Sequence, residues 1–346
     1  MRRRPVLTTL LLTACLGLTG CEATEEPAAS PASPEAAAAE AEPSRPEPQY
    51  RLTRDQTHNK WSAAIEPVLR VPSGAVLEIE TEEASDGQIT PESGVEAVVG
   101  LDFDPIHPLT GPVYVEGAQP GDVLKVTLHS IELGDWGWSA VAPGFGFLAD
   151  EFTEPYLTTW RFEPGQTHAD FAGMKVPLEP FPGVVGVAPD TTERLSTIPP
   201  RAHGGNMDDK DLTEGAVVYL PVFVPGALFS IGDAHAAQGD GEVSGTAIEA
   251  PTTIVLQLDL IQGGRQIPEP QYETADAYVV TAFGETLDEA ARKATRYMID
   301  YLEAEHGMER TEAYVLASLA ADLKISEVVD VPHVLVAMRL PKEVYE

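Results

Sequence analysis

The stretch Val123–Glu132, VLKVTLHSIE, decides the fold class. Apolar and polar residues nearly alternate along it, as in a strand with one face in a core. Val123, Val126 and Leu128 break the alternation, which leaves two readings: a bulge, or a strand buried on both faces. Similar short runs recur on either side, separated by Gly and Pro: Val76–Glu80, Val217–Val224, Thr252–Ile261, Tyr278–Phe283 and finally Val334–Leu340. The 30 prolines favour sheet edges and turns over long helices. Helical spacing arrives late, at Leu287, Ala290, Ala291, Ala294, Tyr297, Met298, Tyr301 and Leu302, with Thr286 and Glu289 as a capping box and Gly307 as a stop. A second helix is expected from Thr311 to Leu323. The expected class is mainly β with α/β additions, and helices near the C-terminus.

Residues 1–21 read as an export signal, with Arg2, Arg3 and Arg4 ahead of an apolar core too short to span a bilayer. Leu18–Cys21, LTGC, resembles the lipobox of bacterial lipoproteins. Cys21 is therefore expected to carry lipid and anchor the protein to a bacterial membrane, on its periplasmic side or at the cell surface. An ordinary secretory signal with a chance LTGC is the alternative. Residues 22–49, rich in Ala, Glu, Pro and Ser, bury too little apolar area to order and are expected to form a tether. Residues 50–346 then make up the folded body. The chain has only 2 cysteines, Cys15 and Cys21, so the body holds no disulfide, no Cys nucleophile and no thiolate metal site. The formal charge is −33 and becomes more negative when the signal arginines are removed. Nucleic acid is excluded as a partner, since phosphates need Lys and Arg, and neutral substrates are favoured over anions.

Chemistry concentrates in Leu228–Glu249, LFSIGDAHAAQGDGEVSGTAIE, which sets Asp233, His235, Gln238, Asp240, Glu242 and Glu249 among small residues without a Lys or Arg. Asp233 and His235 lie two apart, as do Asp240 and Glu242, so each pair shares a side of an extended backbone. A turn at Gly239 and Gly241 would fold the two arms together around a divalent cation or a general base. The competing reading is a solvated or calcium-like turn whose carboxylates cap backbone amides.

Four ordered blocks carry a family resemblance: EEASDGQ (Glu82–Gln88), HPLTGPVYVEGAQPGDVL (His107–Leu124), IPPRAHGGNMDDKDLTEG (Ile198–Gly215) and LPVFVPGALFSIGDAHAAQGDGEV (Leu220–Val243). Together they resemble the acetamidase/formamidase family, whose members hydrolyse short linear amides to a carboxylic acid and ammonia. The resemblance implies a β-sandwich-like core with αβ additions, and a small neutral amide as substrate. A homo-oligomer is also expected.

Amide hydrolysis here needs Ser, Thr or water as nucleophile. No G-x-S-x-G elbow occurs. Ser230 is the serine candidate, although its apolar setting equally suits a structural hydroxyl. Water is preferred, activated by a divalent metal, zinc or else calcium. The expected ligands are Asp86, His107, Asp233 and His235, with Glu242 as general base and Asp240 beside it as a second catalytic carboxylate. Asn206, Gly205 and Gln238 are assigned to substrate, Gly204 and Gly205 permitting close backbone approach to an oxyanion. Asp208 could take a metal or the leaving ammonia. Asp86, Asn206 and Asp208 could equally be turn formers, and His107 could simply stack in its turn. Trp136, Trp138, Phe145 and Phe147 could form an apolar lid or a subunit contact. Two alternatives to linear amide hydrolysis are carried: a γ-lactam or other cyclic amide hydrolase, and an inactive metal-containing binding lipoprotein.

Overall fold

A computed structural model describes residues 45–264 and 266–345. The export signal, Cys21 and the tether through residue 44 lie outside them. Residues 45–49, expected to end the tether, instead pack on the body. Arg45 pairs with Glu132 at 2.6 Å, and the Gln49 N–H donates to the Val76 carbonyl at 2.9 Å. The chain joins the body there because Tyr50–Leu52 extends in parallel along Ala75–Thr81.

The strand Val123–Leu133 lies between Thr252–Ile261 and Val217–Pro221 in a sheet of nine strands among the described residues. Its register slips where Val255 faces Ser130 and Leu256 faces Leu128, which leaves His129 as the extra residue. The broken alternation is therefore a bulge: it moves the inward set from Leu124, Val126 and Leu128 to Ile131. A second sheet is centred on Phe229–Ala237, whose nine residues are all buried. Phe181–Gly186 pairs along one side of this strand, and Leu109–Val115 and Ile248–Glu249 along the other. One core joins the two sheets: Leu77, Ile79, Leu124, Leu128 and Ile254 meet Val113, Phe181, Val185, Phe229 and Ile231. This is the expected β-sandwich-like body.

The helices add a second apolar layer. Val279 faces the sandwich core, whereas its neighbours Tyr278, Val280 and Ala282 face Ala290, Ala294, Met298 and Leu302. The first long helix runs Leu287–His306; the Thr286 hydroxyl accepts from the Glu289 N–H at 3.2 Å, and Gly307 ends it in a left-handed conformation at φ 64°. The second spans only Arg310–Ala320, shorter than expected. Asp322–Glu327 is instead an edge strand, where Leu323 sits opposite Met338. Cross-strand pairing with Val334–Pro341 overrides the local helical spacing.

That edge strand fastens the helical unit to the sandwich. The Lys324 ammonium donates to Asp209 at 2.5 Å and to Asp211 at 2.7 Å, the Tyr272 hydroxyl donates to both carboxylates, and the Ser326 hydroxyl to Asp209. Lys324→Met would leave Asp209 buried without a cation and should lower unfolding free energy by about 3–5 kcal/mol. Denaturant unfolding measures it, and Lys324→Arg should lose much less.

Candidate metal and catalytic centre

Asp233 and His235 both lie on Phe229–Ala237, two residues apart, and their side chains meet: His235 Nε2 is 3.6 Å from Asp233 Oδ1. Two more carboxylates converge on the same nitrogen, Glu249 Oε2 at 3.1 Å and Asp208 Oδ1 at 3.7 Å. Glu249 arrives from the adjacent strand, directly opposite His235. Asp208 arrives from the turn after Gly204–Asn206, which borders the strand Phe181–Gly186. His107 approaches from the far side, its Nε2 3.6 Å from Asp233 Oδ2. Glu242 completes a group with Asp208 and His235 whose ligand atoms lie within 4.8 Å of one another; Asp233, His235 and Glu249 form a second such group.

The local backbone is bent to serve this convergence. Asp208, Asp233 and Glu242 adopt φ of 41°, 50° and 46°, a left-handed region that costs a residue with a Cβ. Gly183 makes room: a Cβ there would lie 2.4 Å from Asp208 Oδ1 and 2.8 Å from the His235 ring.

Gln238, assigned from sequence to substrate, has another role. Its amide nitrogen donates to the Asp208 carbonyl at 2.7 Å, which turns its oxygen to His235 Nδ1 at 2.9 Å. An amide oxygen only accepts, so Nδ1 carries the proton and Nε2 is left to face the carboxylates. Gln238 therefore orients His235. Three other assignments also change. Asp86 is exposed in a left-handed turn at φ 58°, outside the cluster. Asp240 points away from it, pairing with Lys210 at 3.0 Å and facing a wide cleft of about 680 Å³. Gly205 packs against Trp61 and pairs with Val185 rather than lining the cavity. His107, Asp233, His235, Asn206 and Glu242 are brought together. Ser230 is fully buried and bonded to His58 Nε2 at 2.8 Å.

Two acids escaped the sequence reading. Asp330 accepts from the Asn206 amide at 2.7 Å, while Glu327 accepts the Val329 and Asp330 N–H groups. Only the acidic run around SEVVD, just before the last strand, hinted at them.

Burial decides the protonation of this cluster. It raises Asp208 to about 6, Glu249 to about 7 and Glu327 to about 8. Glu242 and Asp330 rise well above the ordinary range for the same reason, reinforced by neighbouring carboxylates. Burial alone would raise Asp233 too, but the His107 and His235 imidazoles outweigh it and hold it at about 2. For His235 burial opposes charge, yet the Glu249 and Asp233 carboxylates win and raise it well above its usual value.

Asp208 Oδ1, Asp233 Oδ1 and Glu249 Oε2 are all buried without a hydrogen-bond partner. Among the described residues, the cavity they face has no Lys or Arg in its lining. Unpaired anionic oxygens gathered on one imidazole nitrogen suit a cation, so these groups could hold a metal ion. The cavity above them is small, about 50 Å³, and the rest of its lining is largely apolar, with Trp138, Phe103, Phe145 and Ile106.

The fold and this cluster define a β-rich protein with a buried carboxylate–imidazole centre under a small cavity. The chain belongs to the acetamidase/formamidase family, which matches residues 46–195 and 190–346. It is 32% identical to the acetamidase of Mycolicibacterium smegmatis over 278 residues, 62% of this chain and 68% of that one. It is 28% identical to the formamidase of Methylophilus methylotrophus, over 84% of this chain and 90% of that one. The structure of a predicted acetamidase/formamidase from Thermoanaerobacter tengcongensis superposes with a TM-score of 0.80 at 33% identity, covering 85% of this chain and 96% of that one.

The proton occupancy sets a pH dependence. Glu249 and Glu327 start from 4.5 in the unfolded chain, and they and His235 all bind protons more tightly once folded. Stability of metal-free protein should therefore fall as pH rises from about 5 to about 8. A bound divalent cation replaces those protons, so the loaded protein should show a flatter curve. Melting temperatures with and without added metal measure it; equal slopes would mean that no cation enters.

Proposed function

We propose that this protein hydrolyses small linear carboxamides, of the formamide and acetamide type, to a carboxylic acid and ammonia, with water as nucleophile and zinc at the carboxylate–imidazole centre. The observation that carries the reading is the convergence of three unpaired carboxylate oxygens on His235 Nε2 beneath a cavity of about 50 Å³. Membership of the acetamidase/formamidase family makes hydrolysis of linear amides the matching reaction.

Asp208, Asp233, Glu249 and His235 would hold the metal, with His107 steadying Asp233. Bound there, the metal supplies Lewis acidity toward the amide carbonyl and a lowered pKa for water. Glu242 is the general base. It is buried beside Asp208 and His235, and burial, reinforced by the Asp208 carboxylate, raises its proton affinity well above that of an ordinary carboxylate, which favours taking a proton from water. As the water oxygen bonds to the carbonyl carbon, Glu242 takes its proton and then gives it to the amide nitrogen, so the C–N bond breaks and ammonia leaves. Asn206 lines the cavity with its amide nitrogen held by Asp330 and its oxygen unpartnered. That free oxygen can accept an N–H from the substrate amide.

Glu242→Gln should keep the metal and lower ammonia release about a hundredfold or more. Asp86→Ala and Asp240→Asn, outside the cluster, should stay within about twofold of the parent. Chelation should abolish activity and added zinc restore it; an active, metal-free parent would end the reading. The export signal and Cys21 support a second proposal, a lipid anchor in a bacterial membrane. Cys21→Ala should then move the protein from the membrane fraction to the soluble one, and an unchanged distribution would argue for another route.

A further inference from the structure

We infer that Trp138, held in place by Glu83, sets the longest acyl chain this site accepts. The inference rests on the amide-hydrolase reading above. Trp138 lies on Trp136–Val141 directly opposite Glu249 on the neighbouring strand, so the indole stands on the same face as a carboxylate of the centre. It is 3% exposed and lines the same small cavity as the cluster, next to Glu249. Substrate acyl carbons, pointing away from the carboxylates, meet this wall.

The wall is fixed rather than adaptable. Trp138 Nε1 donates to Glu83 Oε2 at 2.7 Å. Glu83 is fully buried and, among the described residues, has no cation as a hydrogen-bond partner; it accepts from the Ser85 N–H at 2.9 Å, the Ser85 hydroxyl at 2.7 Å and the Gly87 N–H at 2.6 Å. A carboxylate with that many donors has one orientation, and it clamps the indole in one rotamer. The cavity of about 50 Å³ then holds about three to five water-sized bodies, a match to formamide and acetamide. The block EEASDGQ thus contributes a positioning residue, Glu83, rather than a metal ligand at Asp86.

The test measures kcat and KM for ammonia release from formamide, acetamide, propionamide and butyramide, using the parent, Trp138→Ala, Trp138→Phe and Glu83→Gln. An extra methylene in a tight apolar pocket discriminates by about tenfold or more. Trp138→Ala should raise the butyramide-to-acetamide ratio of kcat/KM at least about tenfold, chiefly through a lower KM for butyramide. Trp138→Phe, which keeps an aromatic wall, and Glu83→Gln, which loosens the clamp, should move the ratio the same way by about threefold. An active Trp138→Ala with an unchanged ratio, or with an equal loss on every amide, would overturn the inference. If Trp138→Ala fails to fold, the Trp138→Phe ratio decides. Should the parent release no ammonia from any amide, the functional reading fails. The size limit is then decided by the melting-temperature shift each amide produces, which should reach butyramide only in the Trp138 variants.

Discussion

Everything in the centre follows from one constraint: six carboxylates, Asp208, Asp233, Glu242, Glu249, Glu327 and Asp330, are buried within one neighbourhood. Isolated buried anions are untenable, so the site must carry protons, a cation or both. The protein answers part of this with imidazole, His235 and His107 flanking Asp233. The rest is answered by protons on the acids that burial has made weak. A divalent ion would do the same work with one body, and the three unpaired oxygens mark where it would sit.

Around that constraint the supporting residues acquire reasons. Gly183 is small because Asp208 and His235 occupy the space of its missing Cβ. Gln238 is an amide because it must accept from His235 while donating to the Asp208 carbonyl. Glu83 repeats the pattern behind Trp138, a buried acid satisfied by donors and used to hold an indole. Polar groups thus orient both faces, one for charge and one for shape.

Much of the scaffold was legible in the chain. Thr252–Ile261 has the bounds that its β-branched alternation marks, and Leu287–His306 has the caps that Thr286 and Gly307 announce. The second helix overran because Leu323 fits a helical period locally, and only its partner Met338 makes it a strand. In the site, Asp233 and His235 were readable because a two-residue period needs no distant information. Asp86, Asp240 and Gln238 were misassigned because burial, not residue type, separates a ligand from a turn former. Glu83 and Asp86 sit three residues apart in one acidic block, and Trp138, 55 positions beyond Glu83, decides which is buried. Asp330 is 124 positions from Asn206, so no local pattern could have joined them.

The edge strand Asp322–Glu327 has a consequence for how the molecule is built. Gly241, next to Glu242, donates its N–H to the Ser326 carbonyl at 2.9 Å and accepts from the Val328 N–H at 3.2 Å. The segment bearing Glu242, the proposed general base, is therefore stitched to the helical appendix as well as to the sandwich. Loosening the appendix would let that segment drift and carry Glu242 away from Asp208 and His235. A version ending after the helices would lose this stitching together with Glu327, Asp330 and the last strand, whose Leu335 and Ala337 belong to the sandwich core.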